Sequence, residues 1–300
     1  MTRHNTPRIS FIGFGEAGQA IASGFRESGV EQIAAWDTLF PDAAGAKLKA
    51  AGAQHGVRLA TSAADAVRDA DMVIAAVTAA SSLDAARSVK PHLTGNPYYL
   101  DINSVSPGRK IDTAALLNGL ARYVDVAVIA PIHPARHKTP LLIAGPHAET
   151  VAPLLEELEM KLKIVSAETG KAAAIKMIRS VMIKGIEALT LECFLAASRA
   201  DLLEEVTVSL KNNYPTLDWT AIADYNIERM ANHGERRAAE MEESAVTLRE
   251  LGLDPLMAEG TVRRQREMGA LGKNDSVQAT LNDGPAAMLD AISAAAKDRR

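Results

Sequence analysis

The sequence predicts an α/β fold in its first half: a doubly wound, mostly parallel sheet, followed by a long helix and an all-α C-terminal domain. Three observations predict it. A short apolar run, Ile9-Ser10-Phe11-Ile12, is followed by glycines at 13, 15 and 18 and then by an Ala-rich helical segment. Strand and helix patterns alternate from there to about residue 166, the order that right-handed crossovers in a parallel sheet require. From Thr169 to Ala200 apolar residues recur at helical spacing, and no strand pattern follows.

In chain order, strands are expected at 8–13, 32–36, 57–60, 71–77, 97–102, 122–128, 140–144 and 162–165. The run Met72-Val73-Ile74-Ala75-Ala76-Val77 is continuously apolar, as a parallel strand covered on both faces should be. Helical patterns lie between the strands near 17–28, 42–51, 62–69, 81–89, 108–119 and 147–160. Ser106 before Pro107 reads as an N-cap followed by proline at the first helical position. Ile175, Ile178, Met182, Ile186 and Leu189 then mark one helix of some 30 residues, interrupted only by Gly185. Further helices are expected near 200–211, 218–232, 235–251, 255–269 and 284–297, punctuated by Pro215, Gly234, Gly252 and Gly272. The domains are expected at 1–166 and 167–300.

Composition bounds the function. The net charge of −4 argues against a general nucleic-acid binder, and with 4% aromatics the core must be mostly aliphatic. The single cysteine, Cys193, forbids an intrachain disulfide; flanked by Leu191, Phe194 and Leu195, it reads as a buried core thiol. No run approaches the roughly 20 apolar residues of a membrane span. Residues 1–7 lack the apolar stretch of a signal peptide. A cytoplasmic protein is the expectation.

The opening glycines fit the G-x-G-x-x-G of a Rossmann domain. Gly13 makes the turn off the strand, Gly15 admits a pyrophosphate close to the backbone, and Gly18 lets the helix pack on the sheet. The backbone of Gly13, Phe14, Gly15, Glu16, Ala17 and Gly18, with the helix N-terminus, is the expected phosphate cradle. Asp37 follows Gly18 by 19 residues at the end of the second strand pattern, where a carboxylate bonds ribose hydroxyls. It repels a 2′-phosphate, and Thr38-Leu39-Phe40 offers no cation to offset that, so NAD is expected in preference to NADP.

Two loops at strand ends, 77–82 with Val77 and Thr78 and 100–107 with Asn103 and Ser104, are expected to line the ligand crevice. A third, 129–138, gathers His133, Arg136, His137 and Lys138, and reads equally as an anion pocket or a solvated loop. No acid or cysteine beside it completes a metal site. On the long helix Lys176, Ser180 and Glu187 share one face, with Lys184 at its border. Taken alone, Lys176 is an ordinary helix-surface lysine; beside a nucleotide-binding domain it is a candidate acid or base.

These motifs resemble those of the β-hydroxyacid dehydrogenase superfamily, which includes 3-hydroxyisobutyrate and 6-phosphogluconate dehydrogenases, over essentially the whole chain. Asp101 to Pro107 resembles the family's D-x-S-T-x-x-P segment, Asp125 to Pro131 its D-x-P-V-S-G-G segment, and Gly170 to Ser180 its G-x-G-x-x-x-K-x-x-x-N motif. The resemblance implies an interdomain long helix, a homodimer formed through the C-terminal helical domain, and Lys176 as general acid/base. It also implies hydride transfer between NAD(P) and the CH–OH group of an acidic hydroxy compound. Asn103, Ser104, Ser180, His133, Arg136 and Lys138 are the expected substrate contacts. The chain departs from the pattern in three places: Ile129-Ala130-Pro131 replaces Ser-Gly-Gly, Ala172 replaces the second glycine, and Ser180 replaces the asparagine. The altered loop leaves two alternatives open, an imine reductase on the same fold and a non-catalytic NAD(H) sensor.

Overall fold

The expected strand patterns all join one sheet in the computed structural model, which describes residues 6–297. Residues 1–5, most of the segment that lacks a signal-peptide pattern, lie outside the described residues. The strands are β1 (Ile9–Ile12), β2 (Ile33–Trp36), β3 (Arg58–Leu59), β4 (Met72–Ala75), β5 (Tyr98–Asp101), β6 (Arg122–Val128), β7 (Leu141–Ala144) and β8 (Leu162–Ser166). Their order is β3-β2-β1-β4-β5-β6-β7-β8. Pairing is parallel except between β6 and β7. The order reverses between β1 and β4, which opens a crevice at the carboxyl ends of these strands. The connecting helices are α1 (Glu16–Glu27), α2 (Ala46–Gln54), α3 (Ala63–Val67), α4 (Ser82–Val89), α5 (Pro107–Leu116) and α6 (Ala148–Glu157).

Period-2 side-chain alternation builds a core on each face of the sheet. Met72 and Ile74 join Phe11, Phe25 and Leu100 on one face. Val73 and Ala75 join Ile12, Val89 and Tyr99 on the other. Strands buried on both faces need no polar alternation, which is why β4 reads as a continuous apolar run.

The chain divides into two compact units between Met177 and Ile178. The division falls inside α7 (Lys171–Arg199), 11 residues beyond the end of the strand pattern at 166, because the first turns of this helix bury Ala172, Ala173 and Met177 in the first unit. The second unit adds α8 (Leu203–Asn213), α9 (Trp219–Glu250), α10 (Leu256–Leu271), α11 (Asp275–Gln278) and α12 (Pro285–Lys297). Leu191, Phe194, Ile227, Met230, Met268, Leu289 and Ile292 form its main core.

Two expectations are corrected here. The two helices expected at 218–232 and 235–251 are one, α9, of 32 residues. Gly234 does not break it: a Cβ there would meet the Gln265 carbonyl and lie 2.6 Å from the Gly269 nitrogen, so the glycine serves close helix packing, and its helical penalty is only about 1 kcal/mol. Cys193 is exposed, not buried, because Leu191 and Phe194 take the two core-facing positions around it. The apolar stripe of α7 also faces outward. Ile178, Met182, Ile183, Ile186 and Leu189 are 42–65% exposed, whereas Ser180, Lys184, Glu187 and Thr190 are buried. No helix among the described residues is long and apolar enough to cross a membrane.

The segment after β6 packs on α1 through a short 3-10 turn, Arg136–Lys138. The buried His137 ring lies 5.5 Å from that of Phe25, and its Nε2 is 3.2 Å from Ser28 Oγ. Gly24 leaves the space the ring occupies, since a Cβ there would collide with His137 Nδ1. Burial, reinforced by Lys138 and Arg136 and opposed by Glu159 and Glu27, holds the imidazole below its ordinary pKa. The folded state therefore binds fewer protons than the unfolded chain just below pH ~6.5, and stability must fall as pH drops through that window. His147 and His233 are lowered in the same sense. The melting temperature is expected to fall between pH 7.5 and 5.5, with a shallower slope in His137→Gln; an equal slope in the variant would remove His137 as a cause.

Candidate active site

The loop from β1 into α1 has the shape a dinucleotide needs. Gly13 sits at φ +88°, and a Cβ there would meet the Ala76 carbonyl and come within 2.6 Å of Val77 Cγ1. At Gly18 a Cβ would lie 2.8 Å from the Gly13 carbonyl oxygen, while at Gly15 nothing stands within 4 Å. The loop is thus drawn against the end of β4, closed onto its own helix, and open at Gly15. No side chain caps α1, which leaves its positive end facing the open space. Phe14, expected among the cofactor contacts, gives the cradle only its backbone: its ring is buried in the core, 6.3 Å from that of Phe40. Glu16 is exposed and Ala17 half-buried at the helix start.

Asp37 is fixed to this loop. Its Oδ2 accepts the Phe14 N–H at 2.8 Å and its Oδ1 the Leu39 N–H at 3.0 Å. Each oxygen keeps a further acceptor site, enough for the two hydroxyls of a ribose. The open cradle, the uncapped helix and the half-used carboxylate fit a dinucleotide.

Asn103, at the end of β5, is buried and braces the neighbouring loops. Its Oδ1 accepts the Val77 N–H at 2.7 Å, its Nδ2 donates to Ser82 Oγ at 3.4 Å, and its own N–H reaches Asp101 Oδ1 at 3.0 Å. Thr78 is exposed, its hydroxyl donating to Ser81 Oγ at 3.2 Å. Ser106 caps α5 through the Arg109 N–H, the structural role expected of it. Ser104 follows Asn103, and here the site gains its chemistry: Lys176 Nζ donates to Ser104 Oγ at 2.6 Å.

Beside this pair lies a buried ionic cluster whose cation, Lys110, sequence reasoning missed. Asp125 Oδ2 accepts the N–H groups of Gly170, Ala172 and Ala173 at 3.0–3.2 Å and so caps α7. Lys110, wholly buried on α5, places its Nζ 3.0 Å from Asp101 Oδ1 and 3.7 Å from Asp125 Oδ1. Tyr123 donates its O–H to Asp101 Oδ2 at 2.9 Å, and burial keeps that phenol well above its ordinary pKa. Burial pushes the Asp125 carboxyl up, against the pull of Lys110 and the helix amides. The one signal for Lys110 was its spacing: with Thr113 it forms the buried face of α5, and the buried Leu117 follows on the same side just past the helix end.

The cationic loop is divided among other partners. Arg136 pairs with Glu27 on α1, and Lys138 Nζ lies 3.1 Å from Glu159 Oε1. His133 is exposed. In the helical unit, Ser180 Oγ accepts from Lys184 Nζ at 3.2 Å, and Lys184 pairs with Glu240 at 2.8 Å. Buried Glu187 there receives Arg237 and, at 2.8 Å, Gln265 Nε2.

Residues 8–102 match the family model described as NADP oxidoreductase coenzyme F420-dependent, and residues 197–268 match a domain of unknown function, DUF1932. A conserved hypothetical protein from Sinorhizobium meliloti is 37% identical, with a TM-score of 0.78 and 97% of each chain covered. A conserved protein of unknown function, described as structurally similar to 3-hydroxyacid dehydrogenases, is 30% identical, with a TM-score of 0.70 over 88% of this chain and 97% of that one. The 3-hydroxyisobutyrate dehydrogenase of Mycobacterium tuberculosis, at 15% identity, shares the fold with a TM-score of 0.69 over 96% of this chain and 99% of its own. Imine reductases share it likewise. With the glycine cradle, Asp37 and the Lys176 helix in place, the chain belongs to the β-hydroxyacid dehydrogenase-like superfamily of NAD(P)-dependent oxidoreductases.

Proposed function

We propose that the protein transfers a hydride between NAD(P) and the CH–OH carbon of a small acidic hydroxy compound, with Lys176 handling the hydroxyl proton. The 2.6 Å hydrogen bond from Lys176 to Ser104, at the carboxyl edge of the sheet, carries this reading. When bound, the nicotinamide supplies the hydride chemistry. The chain supplies position and proton transfer. In oxidation a neutral Lys176 amine takes the hydroxyl proton while the carbon gives up its hydride. In reduction the ammonium returns that proton to the forming alkoxide, which it also stabilises electrostatically.

Ser104 steadies Nζ and can turn its own O–H toward the same substrate oxygen. Asn103 acts one step back, by fixing the loops on either side. Arg136 and Lys138 add long-range attraction for an acidic group, reduced by the glutamates that engage them. Asp37 favours NAD over NADP, because its carboxylate accepts ribose hydroxyls and repels a 2′-phosphate.

The assembly unit in this reading is a homodimer built on the helical unit. The outward apolar face of α7 supports it: Ile178, Met182, Ile183, Ile186 and Leu189 are exposed while Ser180, Lys184, Glu187 and Thr190 of the same helix are buried. Burying one such side chain contributes about 1.5–3 kcal/mol. A second copy brings the same face, as a two-fold interface requires.

NADH absorbance followed across hydroxyacids, aldehydes and imines tests the reaction class and separates it from imine reduction and from nucleotide binding without turnover. Lys176→Ala is expected to lower kcat/KM by about 10²–10⁴ with NAD affinity kept, as read by calorimetry; undiminished turnover would sink the assignment. Asp37→Arg should weaken NAD at least about tenfold, the equivalent of one charge-assisted hydrogen bond, and strengthen NADP; unchanged NAD affinity would refute the role of Asp37. Met182→Glu with Ile186→Glu is expected to reduce the mass found by light scattering from two chains to one, and a wild-type monomer would exclude the dimer.

A further inference from the structure

The geometry points to Lys110 as a positioning residue for the Lys176–Ser104 pair, one buried ammonium that sets through two carboxylates the two segments carrying it. The inference rests on the reading that Lys176 handles the substrate proton.

Asp101 and Asp125 are direct neighbours across the parallel β5–β6 pairing. Two like charges side by side in a sheet oppose pairing, and here both are wholly buried. Lys110 resolves the conflict. Its Nζ reaches the Asp101 carbonyl at 2.5 Å, Asp101 Oδ1 at 3.0 Å, the Val126 carbonyl at 3.4 Å and Asp125 Oδ1 at 3.7 Å. Its ammonium is therefore directed at the last residue of β5 and the middle of β6.

Each carboxylate passes the constraint on. The Asp101 Oδ1 that Lys110 holds also accepts the Asn103 N–H, and Ser104 is the next residue. The other oxygen of Asp125 holds the amides of Gly170, Ala172 and Ala173, and Lys176 lies one helical turn past Ala172. The two arms meet again in the bond from Lys176 Nζ to Ser104 Oγ. Lys110 lies behind both arms and touches neither Ser104 nor Lys176, so it acts through them. Without it the facing carboxylates repel or one takes up a proton, and the arms lose their common anchor.

Lys110→Met tests this with two readouts. In steady-state kinetics kcat is expected to fall by about tenfold to a hundredfold, the range for a small misplacement of a reacting group, with KM for NAD unchanged and the pH profile of kcat displaced. In ¹³C NMR of the reductively methylated, nucleotide-free protein, the Lys176 signal, identified by its loss in Lys176→Arg, is expected to titrate at a shifted pH. If Lys110→Met does not fold, Lys110→Met/Asp101→Asn removes the cation with one carboxylate and is read in the same way. A folded variant whose kcat, pH profile and Lys176 titration all match the wild type overturns the proposal, even if it melts earlier. Should the wild type turn over no substrate, the functional reading fails while the NMR titration still decides the role of Lys110.

Discussion

The attachment of α7 to the sheet by the Asp125 carboxylate is the constraint that sets where Lys176 stands in the first unit. One oxygen takes three backbone N–H groups at the start of a 29-residue helix, satisfying orphan donors that every helix start leaves. Hydrogen bonds to a charged acceptor stabilise by about 1.5–3 kcal/mol each, so the helix cannot slide on the strand end without losing several. A carboxylate in that position is costly to bury, and the nearby Lys110 ammonium offsets the cost. Capping, charge balance and the placement of Lys176 are one arrangement.

The fold was largely legible in the sequence. Runs such as Met72–Val77 can be little other than buried parallel strands, and glycines at 13, 15 and 18 between a strand and a helix leave few alternatives. The site was legible only in part. Gly13, Asp37 and Lys176 carry motif spacing, whereas Lys110 is a charged residue on a helix, a type that usually faces water. Its burial depends on Asp101 and Asp125 meeting across two strands, a pairing that no pattern within the helix reports. The loop with Arg136 and Lys138 shows the reverse. Its charges are plain in the sequence, but their carboxylate partners, Glu27 and Glu159, lie 109 and 21 residues away, so no local pattern could tell an anion pocket from paired surface charge.

The helical unit reverses the usual distribution of side chains along α7. Periodicity reports that a helix has an apolar face, but not what covers it. Here Lys184, Glu187 and Thr190 turn inward to meet Glu240, Arg237 and Asn226, and Ile178, Met182, Ile183, Ile186 and Leu189 are left at the surface. Buried ion pairs are weak sources of net stability but are costly to break singly. Removing one partner alone would leave the other buried without its counter-charge.

Asn103 bonds the Val77 N–H and the Ser82 hydroxyl while its own N–H is held by Asp101. The wall of the crevice between β4 and β5 is thus ordered by folding itself. Ordering a loop residue costs about 1–2 kcal/mol of backbone entropy, and that loss has already occurred before any ligand arrives. Any ligand that meets this wall meets a surface already ordered, with little conformational entropy left to lose.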